Sequence, residues 1–369
     1  ALLLILSESS IGVTVPAITV PKQPIADIAA QKQQFAPTCF NQQLASAGTP
    51  PIAIGVPVAA ANSTDSHDLA KSGRLIARWE VQTQVTHVAF SPDSQTFATA
   101  LADGTIQLWP SSGGKPLRTL CLPDDGAPSV VGLTFLNAGE TLAAASAGGR
   151  ILFWQVQDGA LTQEIDLGKQ AIMAIAFAPD GQSFAASVDK GTTVKIFGRD
   201  TSTPTHTIVW NANRAVNLIF SPDSQMLAVG EEIGYIRLIE VNSTKEPGGY
   251  PVPTGNPPSL AFSPDSQTLA VGLVDGTAEI WQVHGAVRRT LAGKAALPVY
   301  PAFAADGQML ALARMDGKVD LWDVGDGTLL RTLDGGPTKG HASLSFSPDG
   351  RTLIVAWEAG TIELWGLPL

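Results

Sequence analysis

The chain has 369 residues, of which 44% are hydrophobic and only 15% charged, and its formal net charge is −10. That length and apolar content suffice for a sizeable core, while the acidic balance excludes a phosphate-tracking groove as a dominant feature, so no nucleic-acid partner is expected. Glycine (36) and proline (26) are abundant without a Gly-X-Y period, which excludes collagen and points to many turns in a β-rich chain.

Residues 1–72 stand outside any repeat. They open with ALLLIL, an apolar run far short of the roughly 20 residues that span a bilayer. No basic residue precedes it, so it is not a whole signal peptide. The tail of one, the end of a trimmed anchor and an apolar strand in a groove all remain open, and no direct membrane span is expected. Two stretches alternate at period two: Ile11, Val13, Val15, and then Ile52, Ile54, Val56, Val58. Pro16, Pro21, Pro50, Pro51 and Pro57 interrupt them and restrict them to sheet edges or isolated extended chain. Between them, Pro24 to Phe35 places Ile25, Ile28, Ala29 and Phe35 on one face of a short helix, and 59–72 reads as a linker. Ordering such an arm costs entropy, so it is expected to lie against something: its own propeller, a neighbouring copy or another subunit. Strand addition to a partner's sheet edge suits Ile11, Val13, Val15, Ile52, Ile54 and Val56, the partner being another protein or a copy of this chain.

From residue 73 to 369 one unit recurs seven times. Phe90, Phe135, Phe177, Phe220, Phe262, Phe303 and Phe346 each end a short apolar strand and lie 41 to 45 residues apart. A turn follows each: SPDS three times, SPDG, APDG, AADG and LNAG. In these turns Ser opens by hydrogen bonding, Pro presets φ and Gly tolerates the exit. A second strand leads to an acidic-Gly pair, with Asp103, Asp275 and Asp316 as structural turn residues before glycine. Third strands read TIQLW, RILFW, TVKIF, YIRLI, TAEIW, KVDLW and TIELW, and a weaker fourth follows, as in PLRTL. Four strands per unit of about 42 residues is the period of a propeller blade. An all-β, seven-bladed β-propeller of four-stranded blades, with a non-repeat N-terminal extension, is therefore expected. The seventh unit ends after its third strand, and RLIARWEV at 74–81 precedes the first; it is expected to close the last blade, because a propeller otherwise leaves two exposed edges.

These repeats resemble the WD-repeat family over about four-fifths of the chain. The signature dipeptide survives in full only at Trp322-Asp323, and the Gly-His pair is missing at the usual spacing. The family's buried His–Ser–Asp–Trp network is thus expected to be incomplete, leaving ring packing to carry more of the stability.

Little in the chain points to chemistry. Cys39 and Cys121 lack metal-ligand spacing; a long-range disulfide and two free thiols are both open. His67, His87, His206, His284 and His341 form no ligand pair, turn geometry accounts for the aspartates, and no nucleophile elbow, Walker loop or dinucleotide fingerprint occurs. Trp210 and Trp357, off the third-strand position, are weak candidates for ligand contact. No cofactor or metal is expected. The resemblance implies a non-catalytic scaffold or interaction subunit, here of a larger surface or membrane-associated assembly or homopolymer, with the arm holding a neighbour. Composition suggests a bacterial protein exported to the cell surface or periplasmic side. The alternatives are an intracellular monomeric adaptor and a small-ligand-binding or enzymatic propeller.

Overall fold

The computed structural model describes residues 73–122, 129–168, 170–209, 213–243, 249–252, 259–283, 288–291, 297–336 and 340–367. They form seven four-stranded antiparallel sheets. Blade 1 runs Val85–Phe90, Thr96–Leu101, Thr105–Pro110 and Arg118–Cys121 from axis to rim. Blades 2 to 6 repeat this order over 130–166, 174–209, 215–251, 259–291 and 299–334. First strands of successive blades pack against one another around the ring and so surround its axis. Antiparallel order puts the SPDS-type turns on one face and the acidic-Gly turns, with the blade-to-blade connectors, on the other.

Stacking buries both faces of the inner strands, and this explains their composition. Second strands such as Thr141–Ser146 and Met226–Glu231 are buried at every residue. They are rich in alanine, and the aromatic side chains of the third strand pack beside these small residues. Phe97 stacks on Trp109 with centroids 6.1 Å apart, and Phe184 on Phe197 at 4.9 Å. Each such side chain contributes about 1.5–3 kcal/mol by burial.

Several buried indoles find polar partners within their blades. Trp109 Nε1 donates to Thr99 Oγ1 (3.0 Å) and Trp281 Nε1 to Glu279 Oε2 (2.7 Å). Trp357 and Trp365 both donate to Glu363 Oε2, at 3.4 and 3.2 Å. Burial pushes the Glu363 carboxyl up, opposed by the two indoles and by Arg78, whose Nη1 lies 3.7 Å away. Gly335 packs against it: a Cβ there would fall 2.1 Å from Glu363 Oε1 and would displace the carboxylate. The acids at 279, 320 and 363 share one position, two before the third-strand Trp, in three successive blades.

Blade 7 consists of Ala342–Phe346, Thr352–Trp357, Thr361–Gly366 and, as its outer strand, Arg74–Glu80. The pairing runs from Arg74↔Gly366 to Glu80↔Thr361. The strand that precedes blade 1 in the chain thereby closes the ring. Its Trp79 turns into blade 1, with ring centroids 5.7 Å from Phe97 and 5.3 Å from Trp109, and donates to Gly114 O at 2.8 Å.

Side chains also tie each blade to the next. Arg118 reaches from blade 1 to Asp158 O (2.6 Å) and Gln157 O (2.9 Å) in blade 2, and Arg289 from blade 5 to Val324 O (2.9 Å) in blade 6. On the SPDS face, Asp349, Asp180 and Asp223 donate their N–H to Ser94, Ser224 and Ser266 of the following blade, each at 3.1 Å. Those serines end the SPDS turns at φ 60°, 61° and 61°, in the left-handed region where glycine stands in the SPDG copies. The strain costs about 1 kcal/mol, and an inter-blade hydrogen bond returns a similar amount. Ser224→Gly should therefore lie within about 0.5 kcal/mol of the parent in urea unfolding, whereas Ser224→Ala, which keeps the strain and loses the bond, should cost about 1 kcal/mol. Equal losses for both would refute this account.

The same turns confer acid sensitivity. Hydrogen bonds from Ser221, Ser263 and Ser347 hold Asp223, Asp265 and Asp349 below the ordinary carboxylate value. Their contribution to stability is present above that ordinary value and is lost as pH falls through the lowered one.

Candidate interaction site

The connector face is polar where the ring closes. Val81 N–H donates to Gly360 O (2.8 Å), which draws the connector 82–84 against the turn after Trp357. Gln82, Thr83, Gln84, Glu358 and Ala359 line an open depression of about 420 Å³ there. Glu358 N–H donates to His341 O at 2.8 Å, and its Oε2 accepts from His341 N–H at 3.3 Å. His341 Nδ1 shares a 2.5 Å hydrogen bond with the hydroxyl of Tyr300, on the first strand of blade 6. Burial, and then the charge of Glu358, push the Tyr300 hydroxyl up to about 12, so it stays protonated at neutral pH.

Residues from blade 6, blade 7 and the connector into blade 1 thus converge on one rim. The lining offers a carboxylate, two amides and a hydroxyl. Chemically this suits a cationic or amide-bearing side chain of a partner. Tyr300 and His341 hold the turn that carries Glu358.

Asp103 Oδ1 accepts from Thr105 N–H (2.9 Å) and Asp275 Oδ1 from Thr277 N–H (3.0 Å), each within its own turn. Asp316 accepts from Lys318 N–H (3.4 Å) and pairs with Arg314, which also reaches Asp320 at 3.2 Å. The structure does not bring these three aspartates together. Cys121 ends the outer strand of blade 1, half-buried. Cys39, Ile11, Val13, Val15, Ile52, Ile54, Val56 and Trp210 lie outside the described residues. Trp357 requires a correction: it is fully buried and serves Glu363, so it is a packing residue and not a ligand platform. Among the described residues, no group of three His, Cys, Asp or Glu could hold a metal ion. No helix among them is long and apolar enough to cross a membrane.

In the sequence Tyr300 belongs to no motif, and Glu358 stands only as an acid at the acidic-Gly turn position. His341 and Glu358 are 17 residues apart, and Tyr300 and His341 are 41 apart. The available signal was that Gly340-His341 sits one repeat after Tyr300, at the start of a first strand.

Residues 73–110 and 253–282 match the family described as WD domain, G-beta repeat. Striatin-4 of Homo sapiens is 27% identical over 158 residues, covering 41% of this chain and 21% of that protein. Telomerase protein component 1 of Rattus norvegicus is 26% identical over 205 residues, 54% of this chain and 7% of its own length. Apoptotic protease-activating factor 1 of Homo sapiens is 25% identical over 168 residues, 45% of this chain and 13% of its own length. The chain thus spans about a fifth or less of these curated relatives.

Proposed function

We propose, from the premise that this chain is a seven-bladed propeller of the WD-repeat family, that it is a non-catalytic scaffold subunit of a larger assembly. WD-repeat propellers serve in general as protein-interaction platforms. The observation that carries the reading is the closed ring itself, tied blade to blade by side chains and presenting an open, acceptor-lined depression at its seam. On this reading residues 1–72 dock on a neighbouring copy. The low charge and the abundance of uncharged polar residues favour an exported, bacterial protein acting at the cell surface or periplasmic side.

The chain of residues 1–369 should run as a multimer in light-scattering chromatography, and a chain beginning at Ser72 as a monomer. If both are monomers, the assembly fails and the adaptor alternative stands. The same reading pairs Cys39 with Cys121. Denatured protein should then titrate as thiol-free before reduction and release two thiols after it.

A small-ligand reading is favoured by one observation, the convergence of Tyr300, His341 and Glu358 at one mouth of the ring. It expects free arginine to raise the melting temperature saturably and Glu358→Gln to abolish the rise. Identical behaviour of parent and variant would set it aside.

A further inference from the structure

In blades 2, 3, 6 and 7 the outer strand bulges at one residue: Thr162, Thr205, Leu330 and Ile76. Leu117, just before the outer strand of blade 1, holds the corresponding place, its N–H donating to Leu108 O at 2.7 Å. The two threonines turn back onto the third strand, Thr162 Oγ1 to Phe153 O (3.0 Å) and Thr205 Oγ1 to Ile196 O (3.1 Å). The three apolar residues point outward instead: Leu330 is 55% exposed, Ile76 40% and Leu117 60%. A lone exposed leucine means little. Here one position is apolar and exposed on three consecutive blades, 6, 7 and 1, which makes a row on the outer wall. Bulges blunt a strand edge against pairing, so the wall offers side chains rather than a ladder.

The occupant follows from where the chain leaves the ring. The middle strand of the row begins at Arg74, so residues 1–72 depart there. That segment is rich in aliphatic residues and carries only Glu8, Asp27, Asp65, Asp68, Lys22, Lys32 and Lys71 as charges. Arg118-Thr119-Leu120, Arg289-Thr290-Leu291 and Arg331-Thr332-Leu333 share one register against their third strands. Gly159 lies over Leu120, Gly327 over Leu291 and Gly73 over Leu333, so close that a Cβ at each glycine would stand 3.1, 3.4 and 2.7 Å from the leucine Cδ2. Gly73 therefore stands where the other two blades have a turn glycine, and Arg331 stands where Arg118 and Arg289 grip the carbonyls preceding it.

We propose that the outer wall of blades 6, 7 and 1 is the seat of the N-terminal arm. Arg331 grips the main chain just before Gly73, and the apolar stretches around Ile52–Val56 and Ile11–Val15 cover Leu330, Ile76 and Leu117. This rests on the reading of residues 1–72 as the docking segment. It adds the surface: exchange of the arm between equivalent walls of two copies makes the same contacts in trans.

The test uses the full chain carrying Ile76→Thr, Leu117→Thr and Leu330→Thr together, substitutions that blades 2 and 3 show the bulge tolerates. Proteolysis within residues 1–72 and particle mass are measured on parent and variant. Cleavage of the arm about tenfold faster in the variant, with the propeller's melting temperature kept, supports the seat. If the mass also falls to that of a monomer, the neighbour reading is supported with it. If parent and variant are both monomers and the variant still loses protection, the seat stands in cis and the neighbour reading fails. Equal cleavage in both proteins, fast or slow, overturns the seat.

Discussion

Trp79→Ala should destabilise the propeller by about 3–5 kcal/mol, the usual range for a large aromatic removed from a packed core. The physical reason is where the ring is joined. Successive blades are linked by the chain itself, but blade 7 acquires its outer strand from the far end of the repeat region. The joint is the ladder from Arg74 to Glu80, and Trp79 is its deepest side chain, 3% exposed. Its backbone belongs to blade 7 while its ring lies among Phe97 and Trp109 of blade 1, so one residue fastens both sides of the seam. Trp79→Phe keeps most of the contact and loses the hydrogen bond to Gly114 O, which should cost about 1 kcal/mol beyond any loss of packing. Urea unfolding followed by fluorescence and far-ultraviolet dichroism measures both. A loss below about 1 kcal/mol for the alanine variant would mean that the joint does not depend on this ring.

The second large effect is with pH. His87, on the first strand of blade 1, has a buried Nδ1 that meets no hydrogen-bond partner among the described residues. Burial lowers its pKa from 6.5 to about 4. Between those values the unfolded chain binds a proton that the folded chain refuses. Stability from this residue is therefore complete above pH 6.5 and is lost as pH falls towards 4. At 1.36 kcal/mol per unit, and with the ring only partly out of contact with solvent, the loss is on the order of 1–3 kcal/mol. His87→Asn removes the titration and copies blade 4, where Asn217 pairs with Gly230 as His87 pairs with Ala100. Denaturant midpoints of parent and variant measured from pH 7.5 to pH 4 should diverge as pH falls, the parent dropping more steeply. Parallel curves would show that His87 is not the group responsible. The depressed turn aspartates act lower, below the ordinary carboxylate value, so the two windows separate.

Much of this was readable from the residues because it is local chemistry repeated. The Phe anchors, the SPDS turns and the DG turns each act within a few residues, and the third-strand aromatic always follows at the same distance. Seven copies of a local rule therefore show themselves as a period. Even the row of acids at 279, 320 and 363 is visible as TAEIW, KVDLW and TIELW, once the position is known to be buried. The serine that ends an SPDS turn was less legible. Its sequence neighbours explain the turn, but its hydroxyl serves a neighbouring blade.

By itself, then, the sequence determined the number of blades, the order of strands in each and the alternation of turn types, because turn propensity and strand burial are set by near neighbours. Only the tertiary structure decided what meets what between blades. Glu363 finds Trp357, Trp365 and Arg78, Tyr300 finds His341 and Glu358, and Leu330, Ile76 and Leu117 fall into one row on the wall. The reason is geometric. Blade stacking brings together residues far apart in the chain, as when Arg78 reaches Gly335 across 257 positions, and no pattern within one repeat carries that distance.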